Sequence, residues 1–362
     1  MKMDTIKSAL FLGLAIGFMP VAAQGTSAPY TPGITRDAVN YFLPKTKLAV
    51  TVTTTKRSFK PGEYSRYAER YLRMSGVKDQ ADEYWEITGV TISAFGVPDN
   101  NNFYTLTFPE KGRRPSFELT DDGIIAAVNT HIQVESKAIA PAEPIKTATQ
   151  TVNPQDYMTE EILMAGSTAK MAELTAKEIY NIRESRNSIT RGQADFIPTD
   201  GESLKYMLES LTTQETALLT LFSGTTETRE HTFTINVTPD MPVTKQILFR
   251  FSTKLGVLAV DNLAGEPVWI DITDKNLVST KVVQATDTKG KKSSKKEPAF
   301  LYCRIPGMAA IKIYNNRKSF LEQELEVAQF GKVEPVSSTI MGKNVDTKIT
   351  YNTTIGSILT IE

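Results

Sequence analysis

Two segments of helical periodicity stand between two long stretches whose apolar residues alternate with a period of two. A chain patterned in this way is limited to an α+β, β-rich architecture. It predicts two antiparallel β domains with a central antiparallel helical hairpin. The boundaries read as an N-terminal β domain with a linker over 24–156, the hairpin over 157–226, and a C-terminal β domain over 227–362.

The helical block is the most sharply written part. Met164, Met171, Thr175, Ile179 and Ile182 share one helix face, which predicts a helix ending near Asn187. Leu204, Leu208, Leu211, Leu218 and Phe222 form a second stripe. Asp200 stands as its N-cap and Gly224 where a left-handed C-terminal residue belongs. A connection of about a dozen residues, with Gly192 and Pro198, lets the helices fold back on each other.

Before this block, Leu48, Val50, Val52 and Thr54 alternate with Ala49, Thr51, Thr53 and Thr55 as a strand. Pro61-Gly62 breaks it. Tyr64, Tyr67, Ala68, Tyr71 and Leu72 then have helical spacing. Residues 84–97 and 103–108 predict strands about a turn at Asn100-Asn101-Asn102. Residues 117–129 predict a hairpin around Asp122-Gly123. Residues 137–156, rich in Pro, Ala and Thr, read as a linker. After the block, strands are expected over 231–238, 246–252, 256–260, 267–271, 299–304, 310–314 and 349–361, and a short helix over 319–330. Residues 116–129, 250–262 and 350–362 share an order: an aromatic residue, a polar half, a Gly and an apolar half. Three hairpins turning near glycine would produce it, and so would any hairpin with an exposed first strand and a buried second.

The first 23 residues read as a signal peptide rather than structure. Lys2 and Lys7 precede an apolar run over 9–19, Pro20 ends it, and Val21-Ala22-Ala23 sets cleavage after Ala23. The run is too short to span a bilayer core of about 30 Å, and no Cys follows it for acylation. No later apolar run approaches a membrane span, so the product is expected to be soluble once the leader is removed.

The chain carries 41 Lys+Arg against 41 Asp+Glu, with two His and one Cys. The balance supplies no global field to attract nucleic acid. A single Cys closes no intramolecular disulfide, and no Cys/His cluster has zinc spacing. An exported chain without disulfides suggests a bacterial envelope.

KEIYNIRESRNSITRG (177–192), PTDGESLKYMLESLTTQETALLTLFSGTT (198–226), LGVLAVDNLAGEPVWIDI (255–272), YCRIPGMA (302–309), AQFG (328–331) and YFLPKTKLAVTVTTTK (41–56) occur in this order. Together they resemble a secreted family of Bacteroidota envelope proteins known as a domain of unknown function. The resemblance covers essentially all of the chain after the leader. It implies an envelope location in a Gram-negative bacterium. It carries no activity, ligand or catalytic residue to transfer.

Nucleophilic catalysis of the Ser-His-Asp or Cys-His kind needs a base. His131 and His231 are the two histidines, and both read as polar residues at strand edges. Cys303 reads as a buried strand residue. The acidic pairs Asp82/Glu83, Asp121/Asp122, Glu160/Glu161 and Asp271/Asp274 suit turns and loops. A glycosidase would need two carboxyls converging from different segments, roughly 5 to 10 Å apart. No calcium loop, P-loop or dinucleotide fingerprint is present. The lysine cluster Lys289, Lys291, Lys292, Lys295 and Lys296 reads as a solvated loop, without the aromatics of a nucleic-acid platform.

One oddity stands out. Arg186 lies four residues after Ile182, on the apolar stripe of its helix, with Arg183 beside it. A cation there must snorkel or find a partner. An ion pair or carbonyl clamp to a neighbouring β domain, or a contact with an anion or a binding partner, is expected of Arg183 and Arg186.

These readings predict an exported protein of the periplasm or cell surface. It is a non-catalytic binding or assembly module for an envelope protein or glycan, with no cofactor, no metal and no nucleic acid. The alternative is a carboxylate-dependent hydrolase acting on envelope glycan or peptide. A chaperone-like role, with the helix pair as an arm, is a third possibility.

Overall fold

The computed structural model describes residues 26–31, 38–108, 114–132, 152–278, 299–337 and 346–362. The expected signal peptide, most of the linker and the lysine cluster lie outside the described residues.

The elements follow one another as β1 (Thr26–Pro29), β2 (Ala38–Lys60), α1 (Ala68–Leu72), β3 (Asp82–Thr107), β4 (Phe117–Leu119), β5 (Ile125–Val128), α2 (Glu160–Leu163), α3 (Thr168–Thr190), α4 (Gly201–Ser223), β6 (Thr225–Val237), β7 (Val243–Ser252), β8 (Gly256–Leu258), β9 (Glu266–Val278), β10 (Ala299–Tyr314), β11 (Ser319–Ser337), β12 (Ile349–Tyr351) and β13 (Ile358–Ile361). The named strands pair antiparallel in three sheets ordered β1-β3-β2-β6, β11-β10-β9-β7-β8 and β13-β12-β5-β4, and one isolated parallel bridge joins Phe42 to Ile124. The α+β, β-rich class read from the sequence is the class observed.

The partition into separate β domains requires correction. Two of the three sheets draw strands from both sides of the helical block: β2 pairs with β6, and β5 pairs with β12. Alternation says that a segment is a strand; it does not say which strand it borders.

Alternation does explain which side of β2 is buried. Leu48, Val50 and Val52 point into a core shared with Phe249, Val268, Ile270, Ile272, Ile311 and Ile313 of the second sheet. Further along, Tyr41, Leu43, Tyr104 and Leu106 meet Ile125, Val128, Ile349 and Tyr351 of the third sheet and Phe300, Leu301 and Cys303 of β10. Sheet one therefore spans both cores, with β2 and β3 as its long members. A third core joins Tyr64, Ala68 and Leu72 to Ala172, Ala176, Ile179, Ile182, Leu218 and Phe222 of α3 and α4. Burying each such large apolar side chain contributes about 1.5–3 kcal/mol.

Other expectations need revising. Asn100-Asn101-Asn102 does not reverse the chain. Phe42 faces Phe103 and Pro44 faces Pro98, so residues 99–102 bulge out of β3. Asp99 closes that bulge by accepting the Asn101 N–H and the Asn102 amide. Residues 319–330 are strand, not helix. Leu, Glu and Gln favour helix in isolation, but β11 pairs with β10 along its length, and Leu321 and Leu325 pack against the second core. Met164 is 78% exposed, and it follows α2 rather than opening α3. Ser167 starts α3 afresh by capping the Lys170 N–H. The three glycine-marked hairpins all exist, as β4–β5, β7–β8 and β12–β13. Gly123, Gly256 and Gly356 have φ of 81°, 81° and 75° at or near their turns, a region that glycine enters without steric cost. The deep burial expected of every second strand holds throughout β5 only; in β13, Leu359 is exposed.

Candidate functional site

The helical hairpin departs from the sheets at the ends of β2 and β6. Gly224, at φ 77°, ends α4 and turns the chain directly into β6. A Cβ there would lie 2.4 Å from the Lys60 carbonyl oxygen, so glycine permits both the turn and the approach. Tyr64 donates its N–H to Leu221 at 2.7 Å and packs edge-on to Phe222, tying the segment after β2 to the base of α4. The buried cluster of the hairpin contains no strand residue among the described residues.

Arg183 and Arg186 both find the same partner. Arg183 Nε donates to Glu215 Oε1 and Arg186 Nη1 to Oε2, each at 2.6 Å. Both arginines stand on α3 and Glu215 on α4, so the ion pair anticipated to a neighbouring β domain is made between the helices instead. Glu215 is buried, and the arginines are about one-third exposed. The carboxylate is thus served by two charge-assisted bonds. The cluster keeps one net positive charge, and Arg183 also lies 5.7 Å from the Tyr180 ring centre. Sequence reasoning found the arginines because a cation on an apolar stripe is conspicuous. It missed Glu215, which lies 32 and 29 residues away in the chain.

Past this clamp the hairpin continues as an arm. No residue from 183 to 214 is buried. Asp200 caps α4 as expected, accepting the Ser203 N–H at 2.9 Å; that bond and one from the Ser203 hydroxyl hold its carboxyl below the ordinary range. At the outer end Phe196 is 73% exposed and Tyr206 77% exposed. Leu204 and Leu208, read as core, are half-buried there.

A second polar cluster, which the sequence did not reveal, lies where the three sheets meet. Arg304 on β10 is 4% exposed, pairs with the buried Asp99 of the β3 bulge and donates to the Ala328 carbonyl at 3.3 Å. Burial lowers the proton affinity of Arg304, and the Asp99 carboxylate opposes that shift. Beside it, Gln329 treats Thr46 as a strand partner. It accepts the Thr46 N–H at 2.9 Å and donates to the Thr46 carbonyl at 2.8 Å. The Thr46 hydroxyl donates to Thr354 and accepts from the Ala328 N–H. Cys303 and Arg304, neighbours on β10, are both buried.

The other candidates are dispersed. Burial pushes the Cys303 thiol up to about 12, so it stays protonated at neutral pH. His131 is exposed beside Glu118, and His231 lies against Trp85 on the edge strand β6. Asp82 is held below the usual carboxylate range by Lys254 and Lys78, and Glu83 by Lys56 and Ser58. Asp271 accepts the Lys245 N–H and the Tyr314 hydroxyl, while Asp274 accepts the Asn276 N–H. Asp121 and Asp122 are exposed in the β4–β5 turn, and Glu160 and Glu161 are exposed on α2. Each is occupied locally or faces solvent. Among the described residues no three His, Cys, Asp or Glu side chains group as metal ligands, and no helix is long and apolar enough to cross a membrane.

The architecture is thus a three-sheet, β-rich body bearing a clamped helical arm. The model of the family described as Domain of unknown function (DUF4831) matches residues 37–359, and the chain belongs to that family. No curated protein and no solved structure matches it.

Proposed function

We propose that this protein is a non-catalytic binding or assembly module of the bacterial envelope, exported by its leader, and that the helical arm is the part that meets its partner. One observation carries the reading. Residues 183–214 extend without a single buried side chain and end in the exposed aromatics Phe196 and Tyr206. Large exposed aromatic side chains are over-represented where proteins bind one another. Arg183 and Arg186 serve this reading as the clamp that presents the arm.

The hydrolase alternative would need one carboxyl held in its acid form. Asp82, Glu83, Asp200, Glu227 and Glu322 are pushed toward the ionised form by lysine, hydroxyl or backbone donors. A general acid needs the opposite shift.

A photo-crosslinking amino acid at position 196, compared with one at exposed Glu324 of β11, tests the assignment in intact cells. The reading expects one defined envelope protein captured from 196 and not from 324. Equal capture at the two positions would remove the arm from consideration. Cell fractionation with N-terminal sequencing tests export: the protein is expected in the envelope, beginning at Gln24.

A further inference from the structure

Burial along the hairpin stops at a single level. On α3 the last buried residue is Ile182, and on α4 the first is Glu215. The Arg183–Glu215–Arg186 cluster sits at that boundary. Below it, Ala172, Ala176, Ile179, Leu218 and Phe222 pack into a core shared with Tyr64 and Leu72. Above it, the two helices have only half-buried apolar contacts.

Helix α4 carries hydroxyl back-bonds both at this level and in the base, where Thr220 and Ser223 donate to the carbonyls of Ala217 and Leu219. The hydroxyls of Thr212, Thr213 and Thr216 donate to the carbonyls of Leu208, Glu209 and Thr212, at 2.8, 2.8 and 2.7 Å. On α3, Thr190 donates to the carbonyls of Arg186 and Asn187. Hydroxyls bonded back onto the preceding turn bend helices and slightly weaken them. Threonine is β-branched and loses side-chain freedom in a helix, which lowers its propensity further. The end of the core and the charge cluster therefore coincide at one level.

We propose that the hairpin is hinged at this level and that the two-arginine clamp on Glu215 holds the hinge shut. Residues 183–214 open as a separate cooperative unit, while residues 168–182 and 216–223 stay folded on Tyr64 and Leu72. Local units with few buried apolar groups open at a fraction of the global free energy, so such opening is thermally accessible. The clamp sets how often it happens, because breaking it releases α4 from α3 at the point where packing ends. The consequence is a tip carrying Phe196 and Tyr206 whose reach is governed by one carboxylate. This concerns the motion of the arm and holds whether or not the arm is the element that meets a partner.

Hydrogen exchange followed by mass spectrometry on the full chain tests it. In the unmodified protein, amides of 184–212 are expected to exchange at least roughly tenfold faster than those of 172–182 and 216–223. Glu215→Gln keeps the side-chain shape and removes the charge. It is expected to accelerate exchange in 184–212 by roughly another tenfold, with the base and the sheets remaining the slower-exchanging class. Arg186→Gln, which keeps the Arg183 bond, is expected to act on the same amides to a smaller degree; it carries the test if E215Q does not fold. A common exchange rate along the whole hairpin overturns the proposal. So does an arm whose exchange neither variant affects.

Discussion

The molecule holds two arginine–carboxylate clusters, and they do different work because they sit in different surroundings. Asp99 and Arg304 are enclosed where three sheets meet. Glu215 is buried, but its two arginines reach solvent. A pair that is enclosed on all sides has lost its water, so removing one partner strands a charge. A pair with solvated cations can lose one member and let water take its place. The first cluster links β3 to β10 inside the body, and the second joins α3 to α4 at the base of the arm.

The sharpest way to break this comparison is Asp99→Ala. It leaves Arg304 buried without its carboxylate and is expected to cost about 3–5 kcal/mol in urea unfolding. A loss below about 1 kcal/mol would mean that water reaches the seam. The same region has a chemical reporter in Cys303. A thiol pushed up to about 12 and buried is expected to resist alkylation at pH 8 in the folded protein and to react once the chain unfolds. Rapid labelling under native conditions would show that the strand is open to solvent.

Glu215→Ala is expected to cost less, about 1–2 kcal/mol, since the freed guanidiniums can hydrate. The difference from the unmodified protein should shrink in high salt. An Asp99-sized loss would erase the distinction between the clusters. Phe196→Ser and Tyr206→Ser are expected to shift stability by no more than about 0.5 kcal/mol, as exposed residues outside any core. A larger fall in melting temperature would mean that the tip packs against the body.

The smallest effect is that of pH. Asp82, Glu83, Asp200, Glu227 and Glu322 have depressed pKa values in the folded state. Their contribution is present above the ordinary carboxylate values of 3.8 and 4.5 and is lost as pH falls below them. Lys312, raised by Glu322, contributes below its ordinary 10.5 and loses that contribution as pH rises through its folded value. A thermal-melt series should therefore be flat near neutrality and decline at both extremes.

Much of the fold could be read from short-range signals. Asp200 and Gly224 mark the ends of α4 because caps act within a few residues. The Tyr64, Ala68, Leu72 stripe is buried as its spacing says, although α1 itself is short. Arg183 and Arg186 were visible as cations against an apolar stripe. Signals that depended on distant neighbours were not legible. Residues 319–330 looked helical because their pairing with β10 cannot be seen from composition. Asn100-Asn101-Asn102 looked like a reversal because a turn and a bulge use the same residues. The Arg304–Asp99 pair spans 205 residues and had no local mark.

By itself the sequence determined the class of most long elements, the ends of α4 and the position of the two arginines. Periodicity, capping and propensity act over one or two turns, so the chain carries them wherever it is placed. Only the tertiary structure decided that strands from both halves share sheets, that Glu215 answers both arginines, and that the outer half of the hairpin is left without a core. Those outcomes depend on which distant surfaces exclude water together, and burial of that kind belongs to the assembled body rather than to any one segment.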